Sequence, residues 1–306
     1  MKKNRKDQQG IVLPKAFLMT LKVLEFFNPY LGMRFAAFFF SKPFRYKRPK
    51  REIPVLSSAD RSNHFLHNIQ KTVCCYRWKG SGPKILLVHG WSGRATQFSV
   101  IIEKLQEMDY DIYAFDAVAH GSTRGVTTNM PELIDSLQEL TQKWEPEILL
   151  AHSGGGFSSV YVAAQIPEIK KMILISPFDK VTDVFEKYFQ MARLGEKARE
   201  LMYSYFTRVT QKEVKDFSAA KVAVSVKAKV LIIHDKNDRE VDVQDANSIA
   251  KKLKYGSLLI TDNLGHRRIL RDEKVIEKII EFLTKHFSGN GDGGGFAHLL
   301  ALTEHF

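Results

Sequence analysis

One serine lies where a predicted buried strand runs into a predicted helix, in the stretch AHSGGG around Ser153. The apolar run at 148–150 is typical of a strand in a parallel sheet, and helical spacing of apolar residues begins at Phe157. The pattern is close to G-x-S-x-G, a sharp turn that exposes a nucleophilic hydroxyl. Ala151 replaces the first glycine, and we interpret it as a tolerated small residue. The alternative is a glycine-rich phosphate-binding turn with an idle serine.

A serine hydroxyl becomes nucleophilic when a base takes its proton, and the base needs an acid that orients it. Asp238 follows the predicted strand VLIIH, and His266 follows the predicted strand SLLIT. Loops after parallel strands share one edge of a sheet, so Ser153, Asp238 and His266 should meet there. Their order along the chain is that of the serine-elbow arrangement. The sequence therefore predicts a Ser-His-Asp triad.

Other residues compete for the acid and base roles. Asp235 is nearer its strand, where it more plausibly supports a turn, and Asp179 follows an earlier strand from which some triads draw their acid. We prefer Asp238 because of its place in the loop. His152 should be structural, since it would point beneath the serine turn, and His286 should lie on the surface of a terminal helix.

An oxyanion hole requires two backbone donors beside the serine. The N–H of Gly154, directly after the serine, is the first candidate. The N–H of Trp91, in the loop HGW after the predicted strand KILLVH, is the second. The Trp91 ring is expected either to line the acyl side of the pocket or simply to pack.

Four charged residues also lie near the predicted strand-end loops: Arg94, Glu240, Arg267 and Arg268. Two hypotheses fit them. They brace the loops that carry the acid and the base, or they bind an anionic substrate. We prefer bracing, which predicts that Arg94→Ala lowers the melting temperature at least as clearly as the activity.

The chain has 306 residues, of which 44% are hydrophobic and 26% are charged, as in a globular protein. Its two cysteines, Cys74 and Cys75, are adjacent, which excludes a disulfide framework and favours a reducing, cytoplasmic compartment. No Cys and His spacing typical of a metal site occurs, so we expect neither metal nor cofactor.

The net charge of +12 is concentrated in residues 1–51, which hold 13 Lys and Arg against two acids. The remainder is almost neutral, which argues against nucleic acid as a partner. Residues 11–44 are apolar but too interrupted by charge to span a membrane or serve as a signal peptide. Two amphipathic helices, broken at Asn28 and packed on the domain, are the simpler interpretation, and a peripheral contact with anionic membrane is the alternative. An extended basic linker follows at 42–51.

Strands alternate with helices from residue 72 onwards, which predicts an α/β fold with a mostly parallel sheet covered on both faces. Residues 179–215 lack a strand and are rich in aromatic residues, so we expect a small helical lid. The predicted division is a basic helical arm at 1–51, a catalytic domain at 52–287 and a flexible tail at 288–306.

The strings LLVHGW, FDAVAHGS, HSGGG, IHDKND and GHRRIL resemble the successive signatures of the α/β-hydrolase superfamily. The longer strings HGWSGRATQF, HDKNDREV and LGHRRILRD resemble a bacterial subgroup of predicted α/β hydrolases with a hydrophobic N-terminal segment. The resemblance implies the α/β-hydrolase fold and the triad, and an esterase acting on a small-molecule acyl ester without a cofactor. Acyltransferase, thioesterase and perhydrolase chemistry use the same three residues, and a non-catalytic binding protein is the remaining alternative. The sequence gives no indication of oligomeric state.

Overall fold

A single eight-stranded sheet organises the computed structural model, which describes residues 13–285. The predictions for 1–9, His286 and 288–306 lie outside these residues. The strands are β1 (Asp60–Leu66), β2 (Lys71–Trp78), β3 (Lys84–Val88), β4 (Asp111–Asp116), β5 (Ile148–His152), β6 (Lys171–Ile175), β7 (Lys229–Asp235) and β8 (Gly256–Thr261). Their order is β1-β2-β4-β3-β5-β6-β7-β8. β2 is antiparallel to both of its neighbours. The six strands β3 to β8 are parallel to one another, as the alternation predicts.

Helices cover both faces of the sheet. They are α1 (Lys15–Phe27), α2 (Pro29–Phe40), α3 (Ile53–Ser57), α4 (Ser99–Glu107), α5 (Met130–Trp144), α6 (Gly154–Ala163), α7 (Val181–Ala192), α8 (Glu196–Thr210), α9 (Ala219–Ala223), α10 (Val243–Ala250), α11 (Gly265–Arg268) and α12 (Glu273–Thr284). Alternate residues of a strand point to opposite faces, so Leu86 of β3 joins the core under α5 and α6, whereas Leu87 joins the core under α4 and α12. The result is a three-layer domain.

Strand β1 was not predicted from the sequence. Its residues, DRSNHFL, are mostly polar, and only Leu66 is buried. An edge strand of this kind has no apolar alternation to reveal it, because its place depends on backbone pairing with β2 rather than on burial.

The lid insertion consists of helices joined by short turns and continues past residue 215 into α9 before β7 begins. Its two ends are held together at the base. The Asp179 carboxylate accepts hydrogen bonds from Ser218 Oγ at 2.7 Å and from Ala220 N at 2.8 Å, and Val181 N donates to Phe217 O. The insertion therefore leaves and rejoins the sheet at one point above its carboxyl edge.

The basic linker after α2 has no regular structure at 42–49 but is firmly attached to the domain. Arg45 donates to Ala119 O at 3.1 Å and to Thr123 O at 2.7 Å, and Phe44 N donates to Ser92 Oγ at 2.9 Å. The linker thus crosses the loops that follow β3 and β4.

Candidate active site

Ser153 stands between β5 and α6 in a strained conformation, with φ 53° and ψ −120°. A positive φ is costly for a side chain with a Cβ and persists only where the surrounding structure enforces it. Here the backbone is held on both sides, because Ser153 N donates to Ile175 O at 2.9 Å and Phe157 N donates to Ser153 O at 3.1 Å. A Cβ on Gly155 would lie 2.6 Å from His89 O, so only glycine lets α6 approach β3 this closely. These are the features of a nucleophile elbow.

The carboxylate of Asp238 faces the ring of His266. His266 Nδ1 lies 2.6 Å from Asp238 Oδ2, and both side chains are buried. The other carboxylate oxygen accepts from Glu240 N at 2.8 Å and from Val241 N at 3.0 Å. Burial alone would raise the pKa of Asp238, but the hydrogen bond and charge of His266 outweigh it and lower the pKa to about 2. The acid therefore stays ionised beside the imidazole.

Asp235 fixes the loop that carries the histidine. Its Oδ2 accepts from Leu264 N and from Thr261 Oγ1, both at 2.9 Å, and its Oδ1 accepts from Asn237 N at 3.0 Å. Because these donors lie at the end of β8 and in the loops after β7 and β8, Asp235 ties the two loops together rather than facing His266. Asp179 is likewise committed, in its case to the base of the lid.

His152 links the elbow to the histidine loop. Its Nε2 donates to the backbone carbonyl of His266 at 2.9 Å, and the two rings are 4.6 Å apart between centroids. Burial, followed by the nearby charge of His266, lowers the pKa of His152 well below its usual value, so its ring is neutral. With Nε2 as the donor, Nδ1 is free to accept from Gln97 Nε2 at 3.4 Å. The strand end that delivers Ser153 thereby also positions His266.

Among the described residues, no hydrogen bond joins the Ser153 hydroxyl to the His266 ring. The serine and the Asp238–His266 pair lie at one edge of the sheet, joined through His152. Catalytic hydrogen bonds of this type are often long without substrate and tighten once it binds.

The loop after β3 approaches the elbow closely enough to supply oxyanion donors. A methyl group on Gly90 would lie 2.8 Å from Ser153 Cβ, and one on Gly154 would lie 3.7 Å from Trp91 N. His89 shapes this loop, because its Nδ1 donates to Gly90 O at 2.7 Å and its Nε2 accepts from Ala117 N at 3.0 Å. Burial lowers the pKa of His89 to about 4, which keeps its acceptor nitrogen unprotonated at neutral pH.

A shallow pocket beside these donors is lined by Gly90, Trp91, His120, Met130 and Leu133. The Trp91 ring meets the His120 ring edge to face at 5.4 Å and forms one wall, while Met130 and Leu133 of α5 form another. The apolar walls suit an acyl chain.

The charged residues near the strand ends form bracing contacts. Arg94 Nε lies 2.7 Å from Glu52 Oε2, and this carboxylate also accepts from Thr96 Oγ1 at 2.8 Å. Arg267 Nε lies 3.1 Å from Glu240 Oε1. Arg268 donates to Leu264 O at 3.0 Å and to Asn263 O. Each guanidinium is thus paired with protein oxygens in the absence of substrate.

Sequence reasoning missed some of the residues that organise the site. Glu52 lies just before a short helix and resembles any surface acid in sequence, although it is buried under Arg94. Asp116 accepts from Ala95 N, Ser122 N and Tyr76 OH, each at 2.7 Å, and so fixes the segment after the oxyanion loop. The position of Asp116 at the end of β4 was the sequence feature that could have indicated this role. Within residues 13–285, no group of three or more His, Cys, Asp or Glu residues is placed to hold a metal ion.

Comparison with known proteins gives three findings. A family model described as Serine aminopeptidase, S33 matches residues 82–221, just under half of the chain. Monoglyceride lipase of Rattus norvegicus is 34% identical over 142 residues, which are 42% of this chain and 44% of the lipase. Pimeloyl-[acyl-carrier protein] methyl ester esterase of Xylella fastidiosa is 26% identical over 99 residues, which are 32% of this chain and 37% of the esterase. The chain spans less than half the length of these curated relatives.

A solved structure supports the fold over a larger part of the chain. The esterase Pf2001 of Pyrococcus furiosus superposes with a TM-score of 0.62, covering 79% of this chain and 98% of the esterase, at 18% identity. At this identity the likeness concerns the fold alone.

Proposed function

We propose that the chain is a serine hydrolase of the α/β-hydrolase superfamily, a carboxylesterase that cleaves a small or medium acyl ester through Ser153, His266 and Asp238. The observation that carries the proposal is the buried 2.6 Å contact between Asp238 and His266 at the sheet edge where the strained Ser153 stands. A catalytic histidine needs a carboxylate that orients its ring and stabilises its cation, and Asp238 is placed to do this for His266.

The first half of the reaction forms an acyl-enzyme. Asp238 stays ionised and accepts a hydrogen bond from the Nδ1–H group of His266, which leaves the lone pair of the neutral ring on Nε2. On substrate binding, Nε2 takes the hydroxyl proton as Ser153 Oγ attacks the ester carbonyl carbon. The imidazolium then gives this proton to the alcohol oxygen as the ester C–O bond breaks, and the acyl group remains on Ser153.

The second half releases the acid. His266 removes a proton from water, the hydroxide attacks the acyl carbonyl, and Ser153 leaves with the proton returned by the ring. In both halves the N–H groups of Gly154 and Trp91 hold the negative carbonyl oxygen, and the free N–H groups at the start of α6 favour the same charge. Removing one such donor costs about a hundredfold or more in kcat.

The apolar pocket beside Trp91 and the names of the two curated relatives both favour an ester substrate. The lipase relative is named for monoglycerides and the esterase relative for a methyl ester, so carboxylic esters are the shared bond type. We propose that the acyl group occupies the pocket lined by Trp91, Met130 and Leu133. The two adjacent cysteines are both free, which fits a location in the cytoplasm. We also propose peripheral contact with anionic membrane through residues 1–51.

The decisive experiment measures hydrolysis of a short p-nitrophenyl ester by Ser153→Ala. We expect turnover to fall to background with the melting temperature preserved, because the substitution removes one oxygen. Ser158→Ala is the matched control, since it deletes a serine hydroxyl of α6 that is buried without a hydrogen-bond partner; its activity should stay at the level of the unmodified protein. Turnover by Ser153→Ala equal to that of the control would refute the assignment.

Acyl transfer to an alcohol, thioester hydrolysis and perhydrolysis would use the same groups. Added alcohol or hydrogen peroxide that competes with water in the same assay distinguishes the first and the last, and a thioester in place of the oxygen ester tests for thioester hydrolysis. A non-catalytic binding role makes a different prediction. A fluorophosphonate probe labels only an activated serine, so labelling of Ser153 excludes that role and an unlabelled protein supports it.

A further inference from the structure

Apolar side chains are concentrated on the outside of the α1–α2 hairpin. Of the sixteen large hydrophobic residues exposed within residues 13–285, seven lie in this short segment. They are Met19, Val23, Phe26, Phe27, Tyr30, Leu31 and Phe38. Phe26 is 85% exposed and Phe27 is 77% exposed. A concentration of this kind on a soluble surface marks a place of interaction.

Helix α1 presents two apolar faces. Phe17 and Leu21 are buried on the inner face, against the domain. On the outer face, Met19, Val23, Phe26 and Phe27 recur at three- and four-residue spacing and form one stripe along the helix. We call this stripe, with the hairpin tip at 28–31, the outer face.

The exposed charges that α1 itself carries beside the outer face are positive. Lys15 and Lys22 lie two helical turns apart along the edge of the stripe, and both are exposed. Glu25, the only acid in residues 13–51, is half-buried and turned towards the lid, where its Oε1 accepts a hydrogen bond from Gly195 N at 2.8 Å. The outer face therefore combines bulky apolar groups with unneutralised lysines.

We propose that the outer face binds the surface of an anionic lipid bilayer, with α1 lying in the plane of the interface. The 13 residues of α1 extend about 20 Å, and an amphipathic helix of this design buries its apolar stripe at the headgroup boundary while its lysines meet lipid phosphates. None of the helices between residues 13 and 285 has the length and apolar character that a membrane crossing requires. A second copy of this chain fits less well, because it would bring lysines against lysines with no acid to pair them.

The bilayer contact is continuous with the lid and the active-site loops. The Phe40 ring lies 4.8 Å from the Phe185 ring of α7, and Tyr188 OH donates to Ala36 O at 2.8 Å. The linker then joins the hairpin to Ser92 of the oxyanion loop. An enzyme docked in this way holds its lid beside the bilayer. We therefore infer that the substrate is an ester dissolved in the membrane, an inference that rests on the proposed ester hydrolysis.

Two sets of variants of the full chain test this inference by co-sedimentation with vesicles. Phe26→Asp combined with Phe27→Asp should weaken binding to phosphatidylglycerol-containing vesicles by more than about tenfold, because two large apolar groups are lost and negative charge is gained. Lys15→Gln and Lys22→Gln should each weaken it roughly fivefold on these vesicles and leave binding to phosphatidylcholine vesicles unchanged. Val224→Asp is the control, because Val224 is 60% exposed but precedes the amino end of β7; its vesicle binding should be unaltered.

Measurements of ester turnover distinguish a failure of membrane docking from a failure of the proposed ester hydrolysis. The Phe26 and Phe27 double variant should keep its turnover of a soluble p-nitrophenyl ester and lose most of its turnover of a medium-chain ester dissolved in the same vesicles. Equal vesicle binding by the double variant and the control overturns the proposal. So does a dimer of the unmodified protein, seen by light scattering, that the double variant converts to a monomer. If instead Ser153→Ala keeps its activity while vesicle binding behaves as described, the ester chemistry fails and the docking surface stands.

Discussion

The buried pair of Arg94 and Glu52 gives a sharp prediction about stability. Glu52 lies in the turn before α3 and is 2% exposed, and the Arg94 side chain is 14% exposed. In Arg94→Ala the Glu52 carboxylate stays buried and keeps only Thr96 Oγ1 at 2.8 Å and the more distant Arg48 at 3.7 Å. Removing one partner of a buried pair costs about 3–5 kcal/mol, because the other charge remains without compensation.

The two remaining partners place the expected cost at the lower end, about 3 kcal/mol. For a protein of this size class, 1 kcal/mol corresponds to roughly 2–4 °C in melting temperature. We therefore expect Arg94→Ala to melt about 6–12 °C below the unmodified protein in differential scanning calorimetry. The control is Arg51→Ala, which removes the same charge from an exposed position next to Glu52 and should shift the melting temperature by less than about 2 °C.

A second substitution tests the cause. Glu52→Gln combined with Arg94→Ala removes the buried charge together with its partner, so the double variant should recover part of the stability lost by Arg94→Ala alone. Kinetics with neutral and acidic esters completes the experiment. A melting temperature equal to that of Arg51→Ala, together with a raised KM for acidic esters only, would show that Arg94 binds substrate and would refute the bracing argument.

Three further predictions concern the catalytic loops. Gly90→Ala should lower kcat at least tenfold, because the new methyl group would meet Ser153 Cβ at 2.8 Å; a rate unchanged in the ester assay would exclude this crowding. His152→Leu should lower kcat more than it raises KM, since His266 loses a backbone hydrogen bond of 2.9 Å, and His152→Gln, which can still donate, should recover part of the rate. The pKa of Asp238 is depressed to about 2, so the stability it contributes is complete above about pH 4 and is lost as the pH falls towards 2. Urea titrations at several pH values should thus show a smaller loss of unfolding free energy over this interval for Asp238→Asn than for the unmodified protein, and parallel losses would contradict the depressed pKa.

The sequence predicted the central architecture because that part of the fold is encoded locally. Short runs of β-branched and leucine residues predict buried parallel strands, and the strand-end loops then bring Ser153, Asp238 and His266 to one edge. The predicted α/β-hydrolase fold is confirmed, whereas the triad stays a prediction that the ester assay addresses. The break at Asn28 also follows from local chemistry, since its side chain caps α2 by accepting from Tyr30 N at 2.8 Å.

The features that the sequence concealed depend on contacts between distant segments. Strand β1 is recognised only by its pairing with β2, and Glu52 becomes a buried acid only because Arg94, 42 positions later, covers it. The linker was predicted to be extended over 42–51. Residues 42–49 have no regular structure, but a short 3-10 helix covers Lys50–Glu52, and basic composition gave no sign that Arg45 would find carbonyl groups 74 and 78 positions away. Periodicity within one segment carries no information about such partners.

The α1–α2 hairpin is synthesised well before the lid residues that it packs against. Its partners in the lid, Tyr188 and Gly195, follow Ala36 and Glu25 by 152 and 170 positions, so the ribosome must add that many residues after the hairpin before either contact can form. Until then α1 and α2 leave the exit tunnel with both apolar faces uncovered, which is when a nascent chain is most prone to aggregate. Synthesis beside a lipid surface would shelter one of these faces during the wait, and a chaperone would have to do so elsewhere.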